Sequence, residues 1–483
     1  MRSKLLLSIL LASFVIGAGM LRRGHDWGDD FAWYILQAKS ILNGTTEEFI
    51  EQSIFTNTQS TTHVGPLAYP WGYPLILVPP FAINGISPLT LKLPGLFFYV
   101  GFLVCLYFLV VTRLTPTESL LIVALFAFDP MMLQFLDQIL SDIPFLFFST
   151  LTLLLMTRES GSRPVQHGLI GMSIFFTAFL RATGILLLGS FLIIRFFKLW
   201  RGRRDREAVK QMIRDAMIVC MVFAALWAFN ALSLPGGGES YLSQYSTITP
   251  EIIKGFAAGY FKVFSQFFGK EEGWKYLYYV VFVFFLIGAW ARRKDETIFI
   301  LFFVLWMLVH VTYPYWQGAR YIFPLLPIFI YFAFQGMKTA VHKLPEAHRK
   351  NGERIFQGFW LLLIAIFLLE SGAAAYNNVK NGRTVHGAFD PVSMEVYQYI
   401  NEKTPPGSVI VFFKPRVILL MTDHPTIMST ECDRMLRGDY IVLSKKVGEN
   451  QQIPPERIRS CDLPLNRVFE NRRFIIYEVQ KGS

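Results

Sequence analysis

The residues of this chain that are best suited to chemistry follow its first apolar run, in the segment His25-Asp26-Trp27-Gly28-Asp29-Asp30-Phe31. Three carboxylates fall within five residues there. Paired carboxylates suit general-base catalysis or the binding of a divalent cation. The competing interpretation is that Asp29 or Asp30 caps the helix that follows and complements its positive end, and the two roles can coexist.

A second acidic pair, Asp137 and Asp142, lies in a short connection between two later apolar runs. Asp142 precedes Ile143-Pro144, so this position is also a good helix start. Asp129 lies deeper in the preceding apolar run. It would be costly if it faced lipid, and we therefore expect it to face the interior of a helical bundle.

Two isolated arginines, Arg181 and Arg320, interrupt apolar sequence on the same side as these acids. Each lacks a like-charged neighbour, so neither acts as an orientation signal. Either can hold a phosphate through bidentate hydrogen bonds. The alternative is that each extends its charged end to the membrane interface while its stem stays in apolar surroundings.

Taken together, the carboxylates and both arginines map to the outer ends of apolar runs. A bundle that gathers acids and guanidinium groups at one face suits an anionic lipid-linked substrate or a metal. A transporter would place ionisable groups near the bilayer midplane, on broken helices. Most runs carry no charge at their middles. The pattern therefore favours chemistry at the membrane surface over transport.

Motifs for other ligands are weak. His25 and His63 lie in the first long outer segment and could be metal ligands, but there is no His-Glu-x-x-His spacing. No phosphate-binding Walker loop is present, and no Gly-x-Gly-x-x-Gly precedes a helix. We therefore expect no nucleotide-binding site.

Membrane-spanning helices must position these residues. Of 483 residues, 53% are apolar and 17% are charged, against roughly 25% charged in an ordinary soluble protein. The apolar residues come in blocks of about 17–25, the length that crosses a bilayer as a helix. The sequence predicts about eleven spans, near 5–21, 88–112, 118–136, 143–157, 168–180, 184–200, 211–232, 276–291, 296–312, 320–336 and 355–371.

The net charge of +11 sits largely in alternate short segments between these blocks. That placement follows the positive-inside rule and is not the footprint of a nucleic-acid binder. The N-terminus is therefore expected in the cytoplasm, and an odd number of spans would place residues 376–483 on the opposite side.

The predicted organisation is a transmembrane unit, 1–375, with long outer loops at 22–87 and 233–275. In the first loop, apolar residues at helical spacing over 31–42 end at Asn43-Gly44 and predict an amphipathic helix along the membrane surface. Residues 69–81 contain too many prolines and glycines to span cleanly and are expected to be re-entrant or interfacial.

The second loop opens with a Pro-Gly-Gly-Gly run at 235–238 and then carries Tyr241 and Tyr245. Loops of this length in a compact protein are usually functional or disordered. The tail 376–483 has short apolar stretches separated by proline, glycine and charge, which predicts a small α/β domain. Cys432 and Cys461 lie in this tail and can pair if it faces an oxidising space.

The motifs, in their order and positions, resemble those of the GT-C membrane glycosyltransferases. The bacterial branch related to protein O-mannosyltransferases and to the aminoarabinose transferase of lipid A is the most similar. Residues 28–39 with Leu42-Asn43-Gly44 resemble its first-loop acidic motif. The resemblance extends nearly end to end through 69–77, Ser141-Asp142, Arg181-Ala182-Thr183-Gly184, Arg320-Tyr321 with Pro324 and Pro327, and Lys414-Pro415-Arg416 before Leu419-Leu420 and Thr422. One departure is Asp30, where many relatives have Glu.

The resemblance implies a role for each matched residue. Asp29 would be the general base, and Asp30 and Asp142 would orient the acceptor or hold a divalent metal such as Mg²⁺ or Mn²⁺. Asp137 is the alternative second acidic site. The remaining residues would bind the donor phosphate, namely Arg320, Arg181, Tyr69, Lys414 and Arg416.

The implied activity is transfer of a monosaccharide from a polyprenyl-phosphate carrier to a hydroxyl of a lipid, glycan or protein acceptor, with inversion. The expected setting is the inner membrane of a bacterium, with a periplasmic C-terminal domain and a monomeric enzyme. Two alternatives remain open at this point. One is an oligosaccharide ligase or polymerase that uses a diphosphate-linked donor, and the other is a flippase or transporter of lipid-linked sugar.

Overall fold

The chain folds into a bundle of helices that carries a small α/β domain at one end, here called the domain side. The computed structural model describes residues 2–62, 64–158, 163–202, 204–237, 248–447 and 451–480. The helices of the bundle and its loops are α1 (Arg2–Met20), α2 (Asp30–Asn43), α3 (Thr46–Gln59), α4 (Gly72–Asn84), α5 (Pro88–Val110), α6 (Pro116–Phe128), α7 (Pro130–Phe135), α8 (Asp142–Thr157), α9 (Pro164–Leu180), α10 (Ile185–Gly202), α11 (Arg206–Ser233), α12 (Pro250–Val263), α13 (Trp274–Ala291), α14 (Thr297–Thr312), α15 (Leu326–His342) and α16 (Glu346–Lys380).

The predicted class, a polytopic helical membrane protein, is confirmed. Within the described residues, seven helical segments are long and apolar enough to cross a membrane. Four shorter apolar helices, α6, α8, α9 and α14, lie at four more of the predicted positions. The exact number of spans stays a prediction, because the four short helices need neighbouring turns to reach across a bilayer core of about 30 Å.

The predicted span 118–136 is wrong as a single helix. It is divided between α6 and α7 because Asp129 leaves the helical conformation, with φ −59° and ψ 122°. The following Pro130 disfavours a helical residue before it. Asp129 Oδ1 then accepts a hydrogen bond of 2.7 Å from the Met132 amide and starts α7. Its side chain is fully buried, which confirms that it faces the interior of the bundle.

The amphipathic helix predicted in the first loop is α2, and it ends as expected at Gly44, whose φ of 71° favours glycine. Its surroundings differ from the prediction. Every side chain from Phe31 to Ala38 is buried, because α2 packs against α3 and α4 and also against the C-terminal domain. Most of the segment 69–81 lies in the short helix α4, which begins at Gly72 and packs against α2, α5 and α9.

The C-terminal unit is the predicted α/β domain. Its elements are α17 (Pro391–Lys403), β1 (Ile410–Val411), α18 (Pro415–Thr422), β2 (Thr426–Ile427), α19 (Cys432–Met435), β3 (Tyr440–Ser444), β4 (Leu465–Glu470) and β5 (Phe474–Val479). The sheet order is β2-β1-β3-β5-β4, parallel on the β2 side and antiparallel on the β4 side. Cys432 and Cys461 form a disulfide. Helix α16 continues to Lys380, so the predicted boundary at 375 falls inside it.

Two glycines let α13 and α15 cross at close range. A Cβ atom added at Gly288 would collide with the carbonyl oxygen of Phe332, and one at Gly336 would collide with that of Phe284. Small residues at helix crossings are the usual way in which membrane helices bring their backbones together.

Gly288→Ala is therefore expected to lower the thermal unfolding midpoint of the detergent-purified protein, since overpacking of this kind costs about 1–3 kcal/mol. Gly358→Ala on α16 is the matched control, because a Cβ there meets nothing within 4 Å. Equal midpoints for the two variants would contradict the close crossing.

Candidate active site

The site begins at the N-terminus of α2, where Asp29 occupies the position that a capping residue would take. Its side chain makes no capping hydrogen bond. Asp29 Oδ1 is buried and has no hydrogen-bond partner among the residues that the structure describes, while Oδ2 lies 3.6 Å from Nε of Arg416. The capping interpretation therefore does not account for Asp29. Its carboxylate has one oxygen free for a ligand.

Asp30 is held by two partners that are distant in the sequence. The Tyr69 hydroxyl donates to Oδ1 at 2.7 Å, and Arg320 Nη1 donates to Oδ2 at 3.1 Å. The backbone of Tyr69 is itself tied to α2, because Gln37 donates to its carbonyl at 3.0 Å and accepts from its amide at 3.1 Å. The structure thus brings together three of the predicted site residues, Asp30, Tyr69 and Arg320.

Arg181 and Asp142 form a second ion pair beside the first. Arg181 Nη1 donates to Asp142 Oδ1, and its guanidinium lies 4.2 Å from the ring centroid of Tyr321. Tyr321 follows Arg320 directly. One short segment therefore supplies the arginine that pairs with Asp30 and the aromatic ring that contacts Arg181, the partner of Asp142. Tyr34 also bridges the pairs, since its hydroxyl lies 3.1 Å from Ser141 Oγ and its ring lies 4.8 Å from that of Tyr69.

The two adjacent carboxyls of α2 differ in their protonation. Burial raises the pKa of Asp29 to about 6, against the opposing attraction of Arg416 and Lys414. Burial also acts to raise the pKa of Asp30, but the ion pair with Arg320 and the hydrogen bond from Tyr69 outweigh it and lower the pKa below its ordinary value. Neighbouring carboxyls with opposite shifts can take different roles. Asp29 can exchange a proton near neutral pH, whereas Asp30 stays ionised.

Asp137, predicted as an alternative acidic site, is placed elsewhere. It accepts from the ammonium group of Lys92 at 2.7 Å and from the backbone amide of Arg22 at 2.6 Å, and it also pairs with the Arg22 guanidinium. Lys92 is 1% exposed. These contacts make Asp137 the counter-ion of a buried lysine and tie α5 to the end of α1.

His25, one of the two predicted histidine ligands, does not contribute to the site. His25 Nδ1 lies 2.9 Å from the carbonyl of Asp26, and Nε2 accepts from the Ile139 amide at 3.2 Å. Burial lowers the pKa of His25 to about 4, so the ring is neutral and both nitrogens are occupied. His63 lies outside the described residues, as do Tyr241 and Tyr245.

The side chains do not fit a divalent cation between Asp30 and Asp142. Asp30 has one oxygen on Tyr69 and the other on Arg320, and Asp142 is paired with Arg181. Guanidinium groups therefore hold the positions where a metal would sit. In the part of the chain that the structure describes, no group of three or more His, Cys, Asp or Glu side chains could hold a metal ion.

Three residues of the site were not among the predicted site residues, although two of them, Trp33 and Gln37, lie within the motif at 28–39. The ring of Trp33 lies against the guanidinium of Arg416, with 4.3 Å between the ring centroid and Cζ of the arginine. Gly65, with φ 130°, leaves room for the same guanidinium, because a Cβ there would lie 2.9 Å from Arg416 Nη2. The third is Gln37, which anchors Tyr69. Alignment with relatives is the signal that can identify such residues, since each partner is remote in the sequence.

The second long outer loop starts next to this site. Trp71 Nε1 donates to the Pro235 carbonyl at 2.9 Å, and a Cβ at Gly237 would lie 2.9 Å from the carbonyl oxygen of Ala68. The loop is thus attached to the segment that carries Tyr69.

Comparison with solved structures identifies the fold. The chain is similar to ArnT from Cupriavidus metallidurans, solved with bound undecaprenyl phosphate (TM-score 0.59, 11% identity, 98% of this chain and 97% of ArnT covered). It is also similar to the archaeal oligosaccharyltransferase AglB from Archaeoglobus fulgidus, solved with an inhibitory peptide and a dolichol-phosphate (0.56, 12%, 91% and 69%). A third similar structure is the mycobacterial arabinofuranosyltransferase AftD (0.53, 12%, 100% and 41%).

No family model and no curated protein matches the sequence. At identities of 11–12%, the similarity to these structures is one of fold. The chain therefore shares its fold with ArnT, AglB and AftD, which agrees with the fold that the sequence resemblance implied.

The buried Arg181–Asp142 pair gives a direct test of the site geometry. Arg181→Gln is expected to lower the thermal unfolding midpoint strongly, because an uncompensated buried charge costs about 3–5 kcal/mol. Adding Asp142→Asn should restore part of the loss, since the orphaned charge is then removed. Strictly additive losses in the double variant would contradict direct pairing.

Proposed function

We propose that this protein transfers a monosaccharide from a polyprenyl-phosphate carrier to an acceptor hydroxyl, with Asp29 as the general base. The observation that carries the proposal is the buried, unpartnered Oδ1 of Asp29, which stands beside guanidinium-paired carboxylates in a GT-C fold. The lipid phosphates bound in ArnT and AglB support a phosphate-linked lipid donor for this chain as well.

The proposed reaction begins with proton transfer to Asp29. Its carboxylate takes the proton of the acceptor hydroxyl while that oxygen attacks the anomeric carbon of the sugar. The bond between the anomeric carbon and the phosphate oxygen breaks, and the polyprenyl phosphate leaves with the electron pair. A single displacement inverts the anomeric centre. Retention of configuration in the product would contradict this step.

Cations at the domain side would stabilise the departing phosphate. Arg320 is the best placed, because its side chain is 25% exposed and only its Nη1 donates a hydrogen bond to Asp30. Arg181 and Lys414 would add positive charge, although Arg181 is more deeply buried. Tyr69 and Asp142 would keep Asp30 and Arg181 in place and so orient acceptor and donor.

We further propose that the protein lies in the inner membrane of a bacterium, with the N-terminus in the cytoplasm and the C-terminal domain in the periplasm. The Cys432–Cys461 disulfide supports an oxidising compartment for that domain. The attachment of the second outer loop near Tyr69 supports a role for residues 233–275 in closing over the donor and excluding water.

The proposal predicts that the purified protein releases polyprenyl phosphate from at least one polyprenyl-phosphate sugar in a panel, with acceptor-containing membranes present. Asp29→Asn should reduce release by at least 100-fold, since a positioned general base contributes about 10²–10⁴-fold. Release can be followed by lipid chromatography and mass spectrometry.

Asp26→Asn is the matched control, because Asp26 lies in the same segment, is half-exposed and pairs with Arg22 at 2.9 Å. It should retain most of the activity. Activity only with diphosphate-linked donors would identify a ligase instead. Movement of lipid-linked sugar across vesicles by Asp29→Asn, without release of polyprenyl phosphate, would identify a flippase.

The pH dependence of kcat/KM follows from the raised pKa of Asp29. The base must be ionised to accept a proton, so activity should be lost as the pH falls through about 6. Below that value kcat/KM should fall about tenfold per pH unit. A profile that is flat between pH 5 and pH 8 would contradict Asp29 as the base.

A further inference from the structure

One side chain of the C-terminal domain enters the candidate active site. Arg416, near the start of α18, is 1% exposed, although it belongs to a different unit from the carboxylates of α2. Its Nε lies 3.6 Å from Asp29 Oδ2, and its Nη2 donates to the Pro66 carbonyl at 3.0 Å. The almost complete burial of this arginine against the helical bundle requires a reason beyond the packing of the two units against each other.

The first outer loop is shaped to receive this guanidinium. Trp33 provides a ring 4.3 Å from its central carbon, a cation–π contact. Gly65 has no Cβ, and a Cβ at this position would lie 2.9 Å from Nη2. Its φ of 130° is one that other residues rarely adopt. Nη1 lies 3.5 Å from the Tyr69 hydroxyl. The ring, the glycine and the two acceptors together form a socket for one arginine.

These contacts leave Arg416 little access to a donor phosphate. Its nitrogens face Asp29, Pro66 and Tyr69, and its side chain has almost no exposed surface. Arg320 is in contrast 25% exposed. The role implied by the family resemblance, phosphate binding, therefore fits Arg320 better than Arg416.

We propose that Arg416 is a positioning residue through which the docked C-terminal domain completes the active site, holding the Asp29 carboxylate ionised with its free oxygen available to the acceptor. This inference rests on the proposed role of Asp29 as the base. It assigns the C-terminal domain a part in catalysis, because the base is fully formed only when α18 is docked against α2.

The other charges that face Asp29 act consistently with this role. Lys414, at the N-terminus of α18, attracts the ionised form, whereas the adjacent carboxylate of Asp30 opposes it. Asp30 is in turn neutralised by Arg320. Arg416 is the largest of the influences that oppose the burial of Asp29. Its removal should therefore displace the titration of Asp29 to higher pH.

Carbodiimide labelling measures this displacement without any donor sugar. Dicyclohexylcarbodiimide reacts with protonated carboxyls, and tandem mass spectrometry separates labelling at Asp29 from labelling at Asp30. In the purified full-length protein, half-maximal labelling of Asp29 is expected at about pH 6. In Arg416→Gln the midpoint should rise by about 1 pH unit or more, the usual effect of losing an opposite charge at this distance. Arg416→Lys should fall between the two.

Arg434→Gln is the matched control. Arg434 also ties the C-terminal domain to the first outer loop, donating to the Ser60 carbonyl at 2.6 Å, but it makes no contact with Asp29. Its midpoint should equal that of the wild type. An unchanged midpoint in Arg416→Gln, or an equal shift in Arg434→Gln, would overturn the inference. If Arg416→Gln does not fold, Arg416→Lys gives the same comparison, and an unchanged midpoint there overturns it.

Activity separates this inference from the proposed function. If the protein releases polyprenyl phosphate, the acid limb of kcat/KM should move in Arg416→Gln by the same amount as the labelling midpoint. A wild-type activity that survives Asp29→Asn would refute Asp29 as the base, and with it the role of Arg416. Loss of activity in Asp29→Asn, with no movement of the acid limb in Arg416→Gln, would refute the role of Arg416 alone.

Discussion

An arginine from a different element faces each of the three carboxylates Asp29, Asp30 and Asp142. Charges at the edge of a membrane bundle are poorly hydrated, and an unpaired one would destabilise the fold by several kcal/mol. Pairing therefore determines which segments must meet. The acids come from the start of α2, which carries two of them, and from the start of α8. The arginines come from the segment before α15, the turn after α9 and the start of α18.

The same requirement produces a site at one place and a structural anchor at another. Both oxygens of Asp137 accept hydrogen bonds from Lys92 and Arg22, so neither is left without a partner. Asp29 is somewhat more exposed, and one of its oxygens is buried without a partner in the described part of the chain. The distinction between anchor and reactive group lies in this unused hydrogen-bonding capacity, and it is what makes Asp29 the proposed base.

Helix α2 joins the two units of the protein. Gln37 fixes the segment that carries Tyr69, and Trp33 receives Arg416 from the C-terminal domain. Further along α2, Lys39 pairs with Asp423 at 2.6 Å, after the end of α18. A helix held at both ends by another domain cannot shift without moving the carboxylates at its N-terminus. The position of Asp29 and the docking of the C-terminal domain are therefore coupled.

The membrane character, the positions of the apolar helices and the α/β nature of the tail were determined by the sequence alone, because hydrophobic block length and alternation are local properties. The resemblance likewise selected Asp29, Asp30 and the arginines as candidate site residues. The break at Asp129 was missed, although Pro130 was its local signal. Only the tertiary structure decided that Asp137 is an anchor, that Asp29 is not a cap and that Arg416 lies against it. Those outcomes depend on pairs separated by tens to hundreds of residues, and the burial that sets their charge arises only when the elements pack.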